Sequence, residues 1–384
     1  MSNMEHADNP ISYHAWAARP IPLHPNRVWR TYQGGRLIDA WQGEATPVDG
    51  PFPEDWVASV VRALNVGREN FPNEGLSLVE TAPGAAVFLQ EMIDAEPEAF
   101  LGRRHVKAYG SHTAFLVKIL DASERLTLQV HPDRAFAERH FASSFGKTEA
   151  WYVLGGRSDE EGPPCVFLGF KPGVTRKAWR HLFEVQDIDG MLNALHRIEV
   201  KTGDVILVRA GMPHAIGKGC FLIEIQEPTD YTLRVERTTP RGEPVPDMAC
   251  HRGLGFDALF ECFDYETYSL DALSESVELK PHTRNCAEGG EWTTLIDQSS
   301  TDRFAMDRLT VRTHCVYDKK DEFAVAIVLG GRGVMRWNEG TLLIKRGLCL
   351  FLPASLSRMV LECEGTEPLT LLICRPPAEI SSQC

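Results

Sequence analysis

The sequence predicts a mostly β protein with a duplicated barrel and helical insertions. Three observations carry this. The run Leu126-Thr127-Leu128-Gln129-Val130-His131 alternates with the period of a strand. Compact apolar runs, Val205-Ile206-Leu207-Val208 and Phe221-Leu222-Ile223-Glu224-Ile225, follow Gly203 in quick succession. Finally, Val153-Leu154-Gly155-Gly156-Arg157 returns as Val328-Leu329-Gly330-Gly331-Arg332. Downstream of each copy a glycine leads through an apolar strand: Gly203 stands eleven positions before His214, and Gly347 eleven before Arg358. Two short matches falling in the same order favour a duplication over chance.

Taken in order, residues 1–20 show no clear pattern. Order begins at Asn26-Arg27-Val28-Trp29-Arg30, with turns at Gly34-Gly35 and Pro51-Phe52-Pro53. Val87 to Leu101 reads as a helix interrupted by Pro97. Phe115 to Leu120, Leu126 to His131 and Trp151 to Leu154 read as strands, the last ending at Gly155-Gly156. Asp159-Glu160-Glu161 reads as a solvated turn. Trp179, Leu182 and Phe183, then Met191, Leu192 and Leu195, are spaced for two short helices within 174–195, with Gly190 between them. Pro240, Pro244 and Pro246 make 240–265 a linker with one short helix, and strands are expected from Tyr268 to the end. The expected division is 1–265, carrying the chemistry, and 266–384, a second barrel.

Composition narrows the function classes. At 384 residues the chain is long enough for two or three domains. Its net charge of −13 argues against a nucleic-acid surface, while leaving room for a local anion site made by a few arginines. The ten cysteines form no C-x-x-C and no compact framework; Cys250, Cys262, Cys286 and Cys315 are scattered singly. A reduced, cytoplasmic protein is the simplest reading. Met1 to Pro10 is polar, and no apolar run approaches membrane-spanning length, so no membrane partner is expected.

The residues that could carry chemistry lie in three segments. Gln129 and His131 leave the same face of one strand. Glu149 follows eighteen positions after His131, and Gly211-Met212-Pro213-His214 comes later. Two histidines, a carboxylate and an amide suit a divalent metal held by nitrogen and oxygen, with a position open to substrate, and no cysteine joins them. Singly, each histidine would be a core or surface residue and Gln129 a satisfied interior amide. Together they favour the metal. His140, His181 and His196 have no partner spacing. Trp56, Trp151 and Trp179 read as packing residues.

The glycine-to-histidine spacing ending at His214 resembles the second motif of the cupin superfamily, a jelly-roll barrel with metal inside. Arg209 replaces its usual proline. In the second copy Arg358 replaces the histidine and Ala324 stands where Glu149 does, so the second barrel should bind no metal.

The motifs Phe115 to Ala122, Leu126 to Pro132, Gly146 to Leu154, Leu168 to Thr175, Lys201 to Asp204, Pro213 to Gly219 and Glu224-Ile225-Gln226 jointly resemble type I mannose-6-phosphate isomerases in their shorter bacterial form. The similarity runs from about residue 21 to 237 and more loosely to the end. It implies two cupin-type barrels, the second degenerate, and one zinc ion per chain on Gln129, His131, Glu149 and His214. It places an active-site lysine on Lys147, a catalytic arginine on Arg234 and an active-site glutamate on Glu224. Thr127 takes the place of a serine near the sugar phosphate, and Asp230 is expected to orient Arg234. The implied reaction is aldose–ketose isomerisation of mannose 6-phosphate and fructose 6-phosphate through a cis-enediolate, in a monomer or homodimer. Leu233, Arg237 and Thr229 depart from the family pattern at the substrate end, which leaves the identity of the sugar open. The alternatives are an isomerase of another phosphosugar, a non-catalytic sugar-binding bicupin, and a metal-dependent cupin of other chemistry such as an iron dioxygenase.

Overall fold

The computed structural model describes residues 13–160, 162–285 and 289–377. Met1 to Pro10, Glu161 and Cys286 lie outside the described residues. The protein is mostly β, built from antiparallel sheets. The sheet that carries the repeat's first copy has six strands. Its order is Val205–Val208, Glu149–Gly156, Cys220–Gln226, Leu116–Asp121, Glu54–Val57, Arg27–Val28. Facing it are five strands, in the order Leu195–Glu199, Cys165–Phe170, His214–Ile216, Gln129–Val130, Leu233–Arg234. The C-terminal half repeats the arrangement. A seven-stranded sheet contains Cys349–Leu352, Ala324–Gly330 and Leu369–Arg375 in succession, and a four-stranded sheet runs His314–Asp318, Arg358–Cys363, Arg332–Trp337, Gly340–Lys345.

The repeat extends to register. Glu149 pairs with Val208, and Ala324, its counterpart, pairs with Leu352. His214 pairs with Gln129, and Arg358 pairs with Asp318. Because side chains alternate, Trp151 and Val153 enter the space between the first pair of sheets while Ala150 and Tyr152 leave it. The apolar surface follows from this. Trp151, Val153, Ile206, Val166 and Leu168 fill one interior, and Ala324, Ala326, Met335, Met359 and Leu361 fill the other. Ile223, Ile225 and Leu207 meet Val325, Ile327 and Phe351 in the core between the two large sheets. The strand Ile21–Pro22 joins the seven-stranded sheet against Cys349–Leu352.

Several helical expectations need correction. Val87–Phe88 are the end of a strand, and Pro97 starts a second helix, Pro97–Leu101, after Leu89–Ala95. This is the position a proline tolerates, because its missing N–H has no helical partner there. The two helices of the insert are Arg176–Glu184 and Ile188–Asn193. Gly190 lies inside the second, not between them, and the break falls at Gln186, which has a positive φ of 52°. Asp187 then caps the second helix by accepting from the Gly190 N–H. The linker carries two short helices, Asp247–His251 and Phe256–Glu261. A helix, Leu270–Val277, precedes the return to strands at His282. Among the described residues no helix is long and apolar enough to cross a membrane. The described cysteines are free thiols.

Candidate metal centre and active site

The strand Gln129–Val130 ends at His131 because Pro132 follows and Asp133 caps a helix, its carboxylate accepting from the Phe136 N–H at 2.6 Å. The Gly211 N–H donates to the His131 carbonyl, and Gly211 takes a φ of +85° at the turn before His214. On the other side, Lys147 reaches inward from a loop drawn tight by its own N–H to the Pro132 carbonyl. Gly146 is required there: a Cβ would stand 2.6 Å from the Pro132 oxygen. Glu149, two positions after Lys147, opens the strand Glu149–Gly156 of the facing six-stranded sheet.

These segments bring His131, Glu149 and His214 together, each fully or almost fully buried, with donor atoms within 4.8 Å of one another. His131 Nε2 lies 3.2 Å from Glu149 Oε2, and His214 Nε2 lies 3.5 Å from Glu149 Oε1. Both rings are held by the other nitrogen. His131 Nδ1 bonds the Tyr231 carbonyl at 3.0 Å and His214 Nδ1 the Met212 carbonyl at 2.9 Å. A carbonyl accepts only from N–H, so each Nε2 carries a lone pair aimed at the cluster. Gln129 Nε2 is 3.1 Å from His214 Nε2, and rotating the amide by half a turn presents its oxygen instead.

Burial, then the Lys147 charge, pushes the His131 imidazole down to about 3, and burial also lowers His214. Both rings are neutral near pH 7, the form a metal takes. Burial alone would raise the Glu149 carboxyl, but Lys147 and the histidines hold it well below the usual range. Lys147 Nζ is 2.9 Å from Glu149 Oε2 and 2.8 Å from His131 Nε2. Glu149 Oε2 is nevertheless buried without a hydrogen bond: the His131 Nε2 that faces it carries no proton, and Lys147 meets it as an ion pair only. An orphaned carboxylate oxygen beside two imidazole lone pairs fits a divalent cation.

Beyond the cluster opens a narrow pocket of about 40 Å³. Thr127, Gln129, Lys147, Glu224, Asp230 and Arg234 all line it, as does Thr232. Glu224 is buried; burial and then Glu149 raise its carboxyl, and it accepts from Lys118 Nζ at 3.0 Å. Trp151 is more than packing: its indole N–H lies 3.1 Å from Glu149 and 3.3 Å from Glu224, bridging the two carboxylates. Asp230 accepts from Arg30 and from the Leu64 N–H, whereas Arg234 donates to the Ala249 carbonyl. The residue that orients with Asp230 is therefore Arg30, a correction to the expected Asp230–Arg234 pair. Leu233 is buried against Val130 in the outer core, and Arg237 stacks on Phe183 and Phe256. Both face away from the pocket, and Thr229 is used structurally, donating to the Gly146 carbonyl.

Sequence reasoning missed Arg30, Glu54 and Lys118, which join Glu224 and Asp230 in one buried run of alternating charge. Arg30 lies 3.0 Å from Glu54 and 3.1 Å from Asp230, and Lys118 lies 4.0 Å from Glu54. Lys118 had a legible signal, a lone charge inside the apolar run Leu116–Asp121. Arg30 had none.

The family model "Phosphomannose isomerase type I, catalytic domain" matches residues 74–150. A probable mannose-6-phosphate isomerase, GmuF, from Bacillus subtilis (strain 168) is 28% identical over 354 residues, 90% of this chain and 97% of its own length. A mannose-6-phosphate isomerase from Streptococcus mutans is 37% identical over 188 residues, 49% of this chain and 55% of its own length. The crystal structure of a Bacillus subtilis mannose 6-phosphate isomerase superposes with a TM-score of 0.71 at 22% identity, covering 92% of this chain and 99% of that one.

Proposed function

We propose, this chain being a member of the type I phosphomannose isomerase family, that it interconverts mannose 6-phosphate and fructose 6-phosphate with the help of one zinc ion. The observation that carries the metal is the convergence of His131, Glu149 and His214 with both Nε2 lone pairs aimed inward. These three, with the Gln129 amide oxygen, would hold the ion. A bound zinc ion would supply Lewis-acid stabilisation of the negative charge that develops on the sugar oxygens.

The remaining work falls to the chain's own side chains. Isomerisation moves a proton between C2 and C1. Glu224 lines the pocket with a raised carboxyl and is assigned the relay, a kind of help worth typically 10²–10⁴-fold. Lys147 sits at the metal end and carries positive charge to the reacting oxygens. Arg234, which lines the same pocket, contacts the anionic substrate, as does Thr127. Deep burial of Glu224 and Lys147 keeps water from competing for these contacts. The metal-bearing unit is assigned to 1–265 and the structural one to 266–384.

The test is steady-state interconversion of the two sugar phosphates with metal measured on the same samples. Chelation should abolish turnover and Zn²⁺ restore it. His214→Ala should remove most bound metal. Arg234→Ala should keep its metal while losing ~10²-fold in kcat/KM, the size of a lost charge-assisted contact of about 3 kcal/mol. Full zinc occupancy and turnover in His214→Ala would overturn the assignment.

A further inference from the structure

The narrow pocket holds room for only a few waters at ~10–15 Å³ each, too little for a sugar phosphate. Its wall is shared. Arg30, Thr31, Arg234 and Thr239 also line a second cavity of about 350 Å³, within the size range of small-molecule sites. The two spaces adjoin along these four residues.

Charge at that junction is unbalanced. Arg30 is matched by Glu54 and Asp230, Lys118 by Glu224, Arg125 by Glu236, and Arg241 by Glu124 and Glu243. Two cations are not matched. Among the described residues the Arg234 guanidinium donates only to the Ala249 carbonyl, and Arg252 has no ion pair. Asp230 reaches both through charge alone. Both guanidiniums line the larger cavity, and burial lowers both, Arg234 to about 10. Arg252 is fixed there by a left-handed backbone, φ +51°, where it ends the helix Asp247–His251. Two half-buried arginines on the wall of one cavity, neither in an ion pair and both reached by Asp230 only at longer range, suit a dianion.

We propose that Arg252, with Arg234, forms the subsite for the phosphate group, and that Arg252 sets the preference for phosphorylated over unphosphorylated sugar. This rests on the reading that the substrate is a phosphosugar. The sugar carbons would occupy the narrow pocket toward Gln129 and Lys147, and the phosphate the mouth of the wider cavity. Lys147 is already engaged by Glu149 and His131, which leaves the two arginines as the phosphate donors.

The experiment uses the full-length, metal-loaded protein and reads two quantities. One is KM and kcat with mannose 6-phosphate; the other is calorimetric affinity for inorganic phosphate. Arg252→Gln should raise KM about tenfold, leave kcat within about threefold, and weaken phosphate about tenfold. Arg252→Lys should recover part of that affinity, since a point charge lacks the planar fork. Arg336→Gln, which removes an arginine paired with Glu362 in the four-stranded sheet, should change neither quantity. Wild-type KM and phosphate affinity in Arg252→Gln would overturn the subsite, as would a loss confined to kcat or an equal loss in Arg336→Gln. Phosphate binding that depends on Arg252 without turnover of mannose 6-phosphate would uphold the subsite and remove the sugar assignment. Normal turnover with phosphate affinity indifferent to Arg252 would do the reverse.

Discussion

His131 and His214 each commit one ring nitrogen to a backbone carbonyl, and that choice fixes what the other nitrogen can do. The same logic governs Trp151. Its N–H is the donor common to Glu149 and Glu224, so it couples the metal end of the site to the proposed proton relay. Trp151→Phe keeps the ring and deletes the donor. Zinc affinity, measured by competition with a chromogenic chelator, should fall 10–100-fold, the range for lost outer partners of a metal site. kcat/KM should fall with it, by about tenfold or more, since a hydrogen bond to a charged group is worth about 1.5–3 kcal/mol. Unchanged zinc affinity would mean that Trp151 only packs. At this scale the sequence showed the residue types that converge, and that Gln129 and His131 share a strand face, because alternation is a local property. It could not show Arg30, whose role depends on Asp230 two hundred positions away.

Elements were legible where their signal was local. The strands Glu149–Gly156, Val205–Val208 and Cys220–Gln226 follow their apolar runs to within a residue or two. Errors came where a cap or a turn decided the boundary. Pro97 opens a helix instead of interrupting one, and Asp187 places Gly190 within a helix instead of before it. The turn before the strand Leu116–Asp121 holds a different kind of information. His112 accepts from the Ala114 N–H through Nδ1, and its carbonyl accepts from His105. Burial, then the charge of His105, pushes the His112 imidazole down from 6.5 to about 4. Between these two values the unfolded chain holds more protons than the folded one. Stability therefore rises with pH through that window, is complete above about 6.5, and is lost as pH falls toward 4. The most that His112 alone can contribute is about 3 kcal/mol. His112→Asn should flatten the dependence of denaturation midpoint on pH between 4 and 6.5. An unaltered slope would place the acid sensitivity elsewhere.

At the scale of the whole molecule the repeated strand arrangement carries different side chains in its two copies. Ala324 and Arg358 stand where Glu149 and His214 stand in the first copy. Arg358 pairs with Asp318 at 3.1 Å, both side chains exposed, while the interior behind Ala324 is closed by Met335, Met359 and Leu361. Elemental analysis should find one equivalent of metal per chain, and two tightly held equivalents would overturn the assignment of 266–384 as structural. The sequence carried the duplication in five residues and one spacing. It gave no sign that Ile21–Pro22 would enter the seven-stranded sheet, because pairing with Phe351 and Leu350 leaves no local pattern. That pairing has a temporal side. Ile21 leaves the ribosome 330 residues ahead of Phe351, which at about 5–20 residues per second is a wait of tens of seconds. Through that interval the first barrel can close while Ile21–Pro22 stays unpaired, waiting for the strand Cys349–Leu352 to be made.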